Sequence, residues 1–275
     1  MEILSLQSGS SGNCTIVRAG DTTIMVDAGI SGKKCVDRMA EHGWDDCRLD
    51  ALLVTHDHSD HVQSLGVQHR RHEMPVWVSP STWRVIVDRK RPGRIRGLHH
   101  FEAANPFTIG ELLIEPIATP HDAVDGVCFN IEHLTTGIRF GIWTDLGHVF
   151  DDLRTQLPTL DAVMIESNYD EDMLRYGVYP RHLKERIAGR RGHLSNRDAA
   201  LLVKQYGGPR LQWVCLSHLS DENNSPELAV REHRHHYGDR YAIQCADRHH
   251  ATSPMAIRPP HRCHLRPVKQ MELAL

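Results

Sequence analysis

The sequence predicts a mixed α/β protein of the α+β kind, and three observations carry that prediction. Short apolar, β-branched runs recur along the chain, bounded by Gly, Pro, Asn or Asp, which is how strands read. Stretches with apolar residues at helical spacing lie between them, several opened by Ser, Thr or Pro. Strand after strand then ends in a His, Asp or Glu, so the polar chemistry gathers where a rigid sheet can aim it. The 275 residues, 40% hydrophobic and 24% charged, suffice for a full core.

Residues 3–6 and 15–17 read as the first two strands. The loop between them, Ser8-Gly9-Ser10-Ser11-Gly12-Asn13, reads either as a hairpin turn or as an anion-binding loop that offers donors such as Ser10 and Asn13. A third strand, 22–26, ends in Asp27-Ala28-Gly29, where Asp27 is either a turn former or an acid that orients the next loop. An amphipathic helix follows over 32–42, with Cys35, Val36, Met39 and Ala40 as its apolar stripe. Residues 49–54 form a buried strand ending at Thr55.

That strand delivers Thr55-His56-Asp57-His58-Ser59-Asp60-His61. Four of these side chains are metal-ligand types in the pattern H-x-H-x-D-H. On so compressed a loop His56 and His58 face one side while Asp60 and His61 face the other, which suits two ions better than one. The chain holds 21 His, so some clusters arise from composition alone, and His99-His100, His235-His236 and His249-His250 are read that way. The loop at 55–61 differs because it includes an acid and follows a buried strand.

A helix over 62–72, a strand over 75–78 and a helix over 80–88 come next, followed by a basic run of Arg89, Lys90, Arg91, Arg94 and Arg96. Strands at 107–109 and 112–117 lead to Ala118-Thr119-Pro120-His121-Asp122, whose His121 is the expected third ligand of a first ion. Strands at 127–133 and 138–143 turn at Thr136-Gly137 and reach Asp145, the expected bridging carboxylate, since its two oxygens can each hold one ion. His148 reads as a supporting or surface residue. A helix over 151–157 precedes a strand over 160–165 that delivers Glu166. A polar, basic stretch with Arg181, Lys184, Arg186, Arg190 and Arg191 then reaches His193. Ser195 caps a helix over 197–206, and the strand 211–216 ends at His218, the expected last ligand of a second ion. The segment 221–226 caps a final helix to Tyr237, and 241–245 is a last strand. From Asp247 the pattern dissolves into prolines, basic residues, His261 and His264. The expected organisation is one domain over 1–246 and an extended or partly disordered tail over 247–275.

The net charge is −3, so nucleic-acid contact would have to come from the two local basic patches. Seven Cys without C-x-x-C spacing are expected to be reduced thiols of a cytoplasmic protein, with Cys14, Cys128 and Cys215 in the core. No apolar run approaches the ~20 residues of a membrane span, and the first residues read as a strand rather than a leader.

Taken together, Ser8 to Cys14, Thr55 to His61, Thr119 to Asp122, Thr144 to His148, Glu166 to Asp170, Gly192 to Asn196 and Leu216 to Asn224 resemble the metallo-β-lactamase superfamily, nearest its YycJ/WalJ-like branch, related to RNase Z and the phosphonate-pathway phosphodiesterases. The resemblance runs to about Cys245. The basic run at 89–96 and the tail depart from it. It implies an αββα sandwich with a dinuclear centre. His56, His58 and His121 would bind one ion, Asp60, His61 and His218 the other, and Asp145 would bridge. Zinc is expected, with manganese as the alternative.

The resemblance also implies DNA processing, including exonuclease action on duplex DNA. A shared water would attack phosphorus, with Asp60 positioning it. His193, its tautomer held by Glu166, would protonate the leaving oxygen. Asn223, Asn224, Arg190 and Arg191 would line the substrate path. Three readings compete: a small-molecule phosphodiesterase of cyclic-nucleotide or phosphonate type, a β-lactam or thioester hydrolase, and a non-catalytic metal-binding module. The oligomeric state is left open.

Overall fold

In the computed structural model, which describes residues 1–259, alternation along the strands decides the architecture. Successive side chains of a strand point to opposite faces. Here both faces are apolar, so each sheet must be covered twice. Ile24 and Val26 enter a central cluster while Met25 enters an outer one. Ala162 and Met164 likewise face the centre, and Val163 and Ile165 face outward.

The first sheet takes β1 (Glu2–Gln7), β2 (Cys14–Ala19), β3 (Thr22–Val26), β4 (Ala51–Leu53), β5 (Val76–Val78) and β6 (Leu98–His100) in spatial sequence. The second takes β7 (Phe107–Ile109), β8 (Leu112–Ala118), β9 (Val127–His133), β10 (Ile138–Trp143), β11 (Ala162–Glu166), β12 (Trp213–Ser217) and β13 (Ala242–Cys245), also as neighbours in order. The short β14 (Met255–Ala256) returns to pair antiparallel with β1. The two sheets close on a shared core that includes Ile3, Leu53, Phe129, Phe140 and Trp213.

Helices α1 (Gly32–Ala40), α2 (Ser59–Val62), α3 (Leu65–His72) and α4 (Pro80–Lys90) accompany the first sheet. Cys35, Met39, Leu65 and Ile86 from these helices join its outer cluster. On the second sheet lie α5 (Asp151–Gln156), α6 (Glu171–Tyr176), α7 (Arg181–Ile187), α8 (Asn196–Tyr206) and α9 (Pro226–Tyr237). There Leu153, Leu202, Val203 and Ala229 pack on Val163, Ile165 and Val214. The result is the expected αββα sandwich.

Several local expectations change. The helix expected over 62–72 begins at Leu65, and Val62 instead ends the separate α2, because Ser64 leaves the helical region at φ −114° and ψ 13°. His99 and His100 lie in β6, a strand not expected from the sequence, and the Trp77 and His99 rings stack at 4.5 Å. The polar stretch after Glu166 contains α6 and α7. The segment from Asp247 is not featureless: Met255 and Ile257 are buried, and the Trp213 indole donates to the Ala256 carbonyl at 2.9 Å. Residues 260–275 of the expected tail lie outside the described residues. Cys14, Cys128 and Cys215 are buried free thiols.

Candidate metal centre

Strand β9 runs antiparallel to β8 and β10, while β10, β11 and β12 are parallel. The C-terminal ends of β8, β10, β11 and β12 therefore share one edge, and they carry His121, Asp145, Glu166 and His218. The loop after β4 carries His56 to His61 to the same place. Ligand atoms within each of four sets lie within 4.8 Å of one another: His56, His58 and His121; Asp60, His61 and His218; His56, His61 and Asp145; and Asp145, Glu166, His193 and His218. Asp145 stands between the first two sets, with Oδ1 3.6 Å from His121 Nε2 and Oδ2 3.2 Å from His61 Nε2.

Most of these imidazoles are aimed by a bond at the far nitrogen. His61 Nδ1 lies 2.7 Å from Asp27 Oδ2, and the same carboxylate accepts from the Thr55 N–H and hydroxyl. Asp27 is thus the orienting acid rather than only a turn former. His121 Nδ1 donates to the Gly192 carbonyl at 2.8 Å, His56 Nδ1 lies 2.9 Å from the Thr55 hydroxyl, and His218 Nδ1 lies 3.4 Å from Glu166 Oε1. Each Nε2 is left for the centre, the arrangement that ligating histidines use.

A divalent ion fits this donor set. His56 Nε2, His121 Nε2 and Asp145 Oδ2 are buried with no hydrogen-bond partner. Such atoms are costly unless something binds them. Burial pushes the His56 imidazole well below its ordinary value, favouring the neutral form that ligates. Burial opposes charge on Asp60, but His61 and His218 outweigh it and hold the carboxyl well below the usual range.

The same edge holds a second device. His193 Nδ1 lies 2.6 Å from Glu166 Oε1, while Glu166 Oε2 accepts from the Leu146 and Leu194 N–H groups at 2.9 and 3.2 Å. Burial would raise the Glu166 carboxyl, but His193 and His218 bring it down to about 2. The carboxylate is therefore ionised and fixed, and it holds His193 with Nε2 away from it.

Among the residues expected to meet substrate, the placements diverge. Asn13 reaches Asp60 Oδ2 at 3.3 Å and His61 Nε2 at 3.0 Å. Ser10 is exposed, and Ser8 takes the inner position, its hydroxyl accepting from the His218 N–H at 2.9 Å. Asn224 is committed to scaffolding: its amide donates to the Ser167 and Asn168 carbonyls at 2.8 and 3.0 Å. Asn223 keeps a buried, unpartnered Oδ1. Arg190 is exposed and lies 3.0 Å from His148 Nε2. Arg191 borders a cavity of about 690 Å³ beside His121, also lined by Ser79, Pro120 and Asp125.

Sequence reasoning missed Asp122. Its Oδ1 lies 3.3 Å from His121 Nε2 and 3.7 Å from His58 Nε2, and its Oδ2 accepts from Arg186 Nε at 2.7 Å. The available signal was its place beside His121 at the end of the Thr119 to Asp122 motif.

Comparison with known proteins agrees with this geometry. Residues 22–218 match the family model described as a beta-lactamase superfamily domain. The chain is 37% identical to exodeoxyribonuclease WalJ of Streptococcus pneumoniae, over 82% of this chain and 83% of that protein. It is 33% identical to exodeoxyribonuclease YycJ of Bacillus anthracis, over 82% of this chain and 84% of that one. The crystal structure of Zn(2+)-bound PqqB from Methylobacterium extorquens superposes with a TM-score of 0.70 at 15% identity, covering 92% of this chain and all of that one, a likeness of fold.

Proposed function

This chain belongs to the beta-lactamase superfamily domain family, and from that premise we propose that it is a metal-dependent exodeoxyribonuclease, the activity for which the two bacterial relatives are named. The observation that carries the reading is the buried Glu166 carboxylate holding His193 at the rim of the His/Asp cluster. A metal cluster alone serves many esters, whereas an oriented acid beside it suits a poor leaving group such as a sugar alkoxide.

In this reading His56, His58 and His121 hold one divalent ion and Asp60, His61 and His218 a second, with Asp145 between them. The imidazole-rich donors favour zinc, and manganese is the alternative. Ions bound there would acidify a water and neutralise charge on the phosphodiester. The chain's own groups do the rest. Asp60, steadied by the Asn13 amide, accepts a hydrogen bond from the attacking water and orients it. His193 gives a proton from Nε2 to the departing oxygen, and Glu166 stabilises the resulting ring orientation. Arg191, with Arg190 before it in the chain, offers a cation to the neighbouring phosphate.

The test is a time course on end-labelled duplex DNA with zinc and with manganese, against an Asp60→Ala/His61→Ala double variant. Stepwise shortening that the variant lacks is the expected result. Hydrolysis of small phosphodiesters with no shortening of DNA would overturn the nuclease reading and leave the small-molecule phosphodiesterase, for which the 690 Å³ cavity is of suitable size.

A further inference from the structure

We propose that the turn between α6 and α7 is a lip that stacks on the end of a DNA duplex and parts its strands ahead of the metal centre, an inference that rests on the nuclease reading. At the tip Tyr176 is 77% exposed and Val178 87%, beyond any other large hydrophobic residue described, the next being Leu134 at 51%. Single exposed apolar residues are ordinary. These two flank one glycine on a turn that is held in place. The Gly177 N–H donates to the Met173 carbonyl at 2.7 Å, and Lys184 Nζ donates to the Arg175 and Gly177 carbonyls at 2.9 and 2.7 Å. The segment adds little to the core, since α7 buries none of its residues and α6 buries only Leu174. A fixed apolar tip that stabilises nothing inside is a surface shaped for something outside.

Charge says what that is. Arg175 and Arg181 flank the tip in the sequence, and Lys184, Arg186, Arg190 and Arg191 follow along and beyond α7, six cations against the four acids Asp170, Glu171, Asp172 and Glu185 on a chain whose net charge is −3. An aromatic ring among cations is how proteins hold stacked bases beside their phosphates. The lip is also tied mechanically to the centre. Arg186 grips Asp122 next to His121, and the Ile187 carbonyl accepts the His193 N–H at 2.9 Å. The seven residues of α7 at ~1.5 Å each span about 10 Å. At ~3.4 Å per nucleotide along a strand that is roughly three base steps. Along α7, which leads from the tip toward the segment that carries His193, a parted strand therefore has room for about three nucleotides.

The experiment compares kcat/KM for the metal-loaded wild type and a Tyr176→Ala/Val178→Ser variant on two substrates. One is a blunt duplex, and the other is the same duplex with three unpaired nucleotides at the cleaved end. The blunt rate is expected to fall about 5- to 150-fold, the factor one base–aromatic stack supplies. The frayed substrate should lose less than about a third of that effect on a logarithmic scale. Tyr176→Trp should retain the blunt rate, and the melting temperature should not move, because neither side chain is buried. Equal losses on the two duplexes, or no loss on either, overturn the lip while the nuclease reading stands. So does a wild-type dimer that the double variant dissociates in sedimentation, since the turn would then be a subunit contact. If wild type hydrolyses bis(4-nitrophenyl) phosphate but neither duplex, the nuclease reading fails and the lip goes with it.

Discussion

Gly29 makes no contact with substrate in any reading of the site, yet replacing it with alanine should disable the metal centre. Gly29 follows Asp27 at the end of β3, pressed between two segments that carry site residues. Its N–H donates to the Asn13 carbonyl at 2.9 Å, and the Asn13 N–H donates to the Asp60 carbonyl at 2.7 Å. A Cβ at position 29 would stand 1.6 Å from the Asp60 carbonyl oxygen and 2.7 Å from the Asn13 nitrogen. Both are backbone atoms, so no rotamer change relieves the clash. To bring the first contact to even 3.0 Å, the Asp60 backbone must retreat by about 1.4 Å.

Overpacking of this kind costs about 1–3 kcal/mol. The larger effect is positional, because a displacement of about 1 Å in a catalytic group costs roughly 100-fold in rate. The assay is zinc titration against a chromophoric chelator, with kcat on duplex DNA measured alongside. Gly29→Ala should bind the ion held by Asp60 about 10- to 100-fold more weakly. Gly137→Ala is the control, since φ there is +67° and no atom lies within 4 Å of its Cβ, so it loses stability without touching the site. Zinc affinity in Gly29→Ala equal to that of the control would refute the reasoning.

The other expectations follow from single groups. His193→Ala should reduce turnover on DNA far more than on an ester with an activated leaving group; equal losses would remove the proton-donor role. Glu166→Gln should lower kcat about 10- to 100-fold and, because Glu166 also orients the ligand His218, weaken binding of the ion that His218 holds. It should also remove an acid-sensitive share of stability from the metal-free protein. The Glu166 carboxyl lies near 2 against an ordinary 4.5, so its contribution is complete above pH 4.5 and is lost as pH falls toward 2, about 3 kcal/mol in all. His233 acts at higher pH. Burial lowers its imidazole from 6.5 to about 3, so the neutral ring's contribution is complete above pH 6.5 and falls by about 1.4 kcal/mol per pH unit toward 3. Chemical denaturation of metal-free His233→Gln across that range should show a flatter pH dependence, and an unchanged slope would exclude His233 as its source.

The edge that carries the cluster was legible because its signal is local. A buried run that stops at His56, His121, Asp145 or His218 places a titratable group at a strand end whatever the tertiary arrangement. The αββα layering was not legible that way. Alternation within β3 and β11 says that both faces are buried, but which helices cover them depends on long-range packing, and only the family resemblance supplied it. Helix α7 was invisible because it buries nothing and so has no apolar period. Strand β6 was hidden because its residues Leu98, His99 and His100 carry no alternating pattern and owe their place to pairing with β5. Ser8 and Ser10 could not be told apart, since the loop's path, not its composition, decides which hydroxyl meets the His218 N–H.

The backbone at the site shows how the sheets convert strand ends into a preorganised pocket. Asp27, Asp145 and His218 end β3, β10 and β12, and they sit at φ 62°, 56° and 55°. Left-handed backbone costs about 1–2 kcal/mol for a residue with a side chain, and Asp and His are among the types that tolerate it best. The same turn is thus made three times, each time at a residue that faces the cluster. Each is held by bonds that would be lost if it relaxed. The Asp27 carboxylate joins Thr55 to His61, the Leu146 N–H after Asp145 is taken by Glu166, and the His218 N–H and carbonyl are taken by Ser8 and Asn168. The strain is offset before any ion or substrate arrives, so the ligand set is aimed in advance. One of the bonds that offset it, from the Leu146 N–H, ends on Glu166, so the turn at Asp145 is coupled to the residue that orients His193.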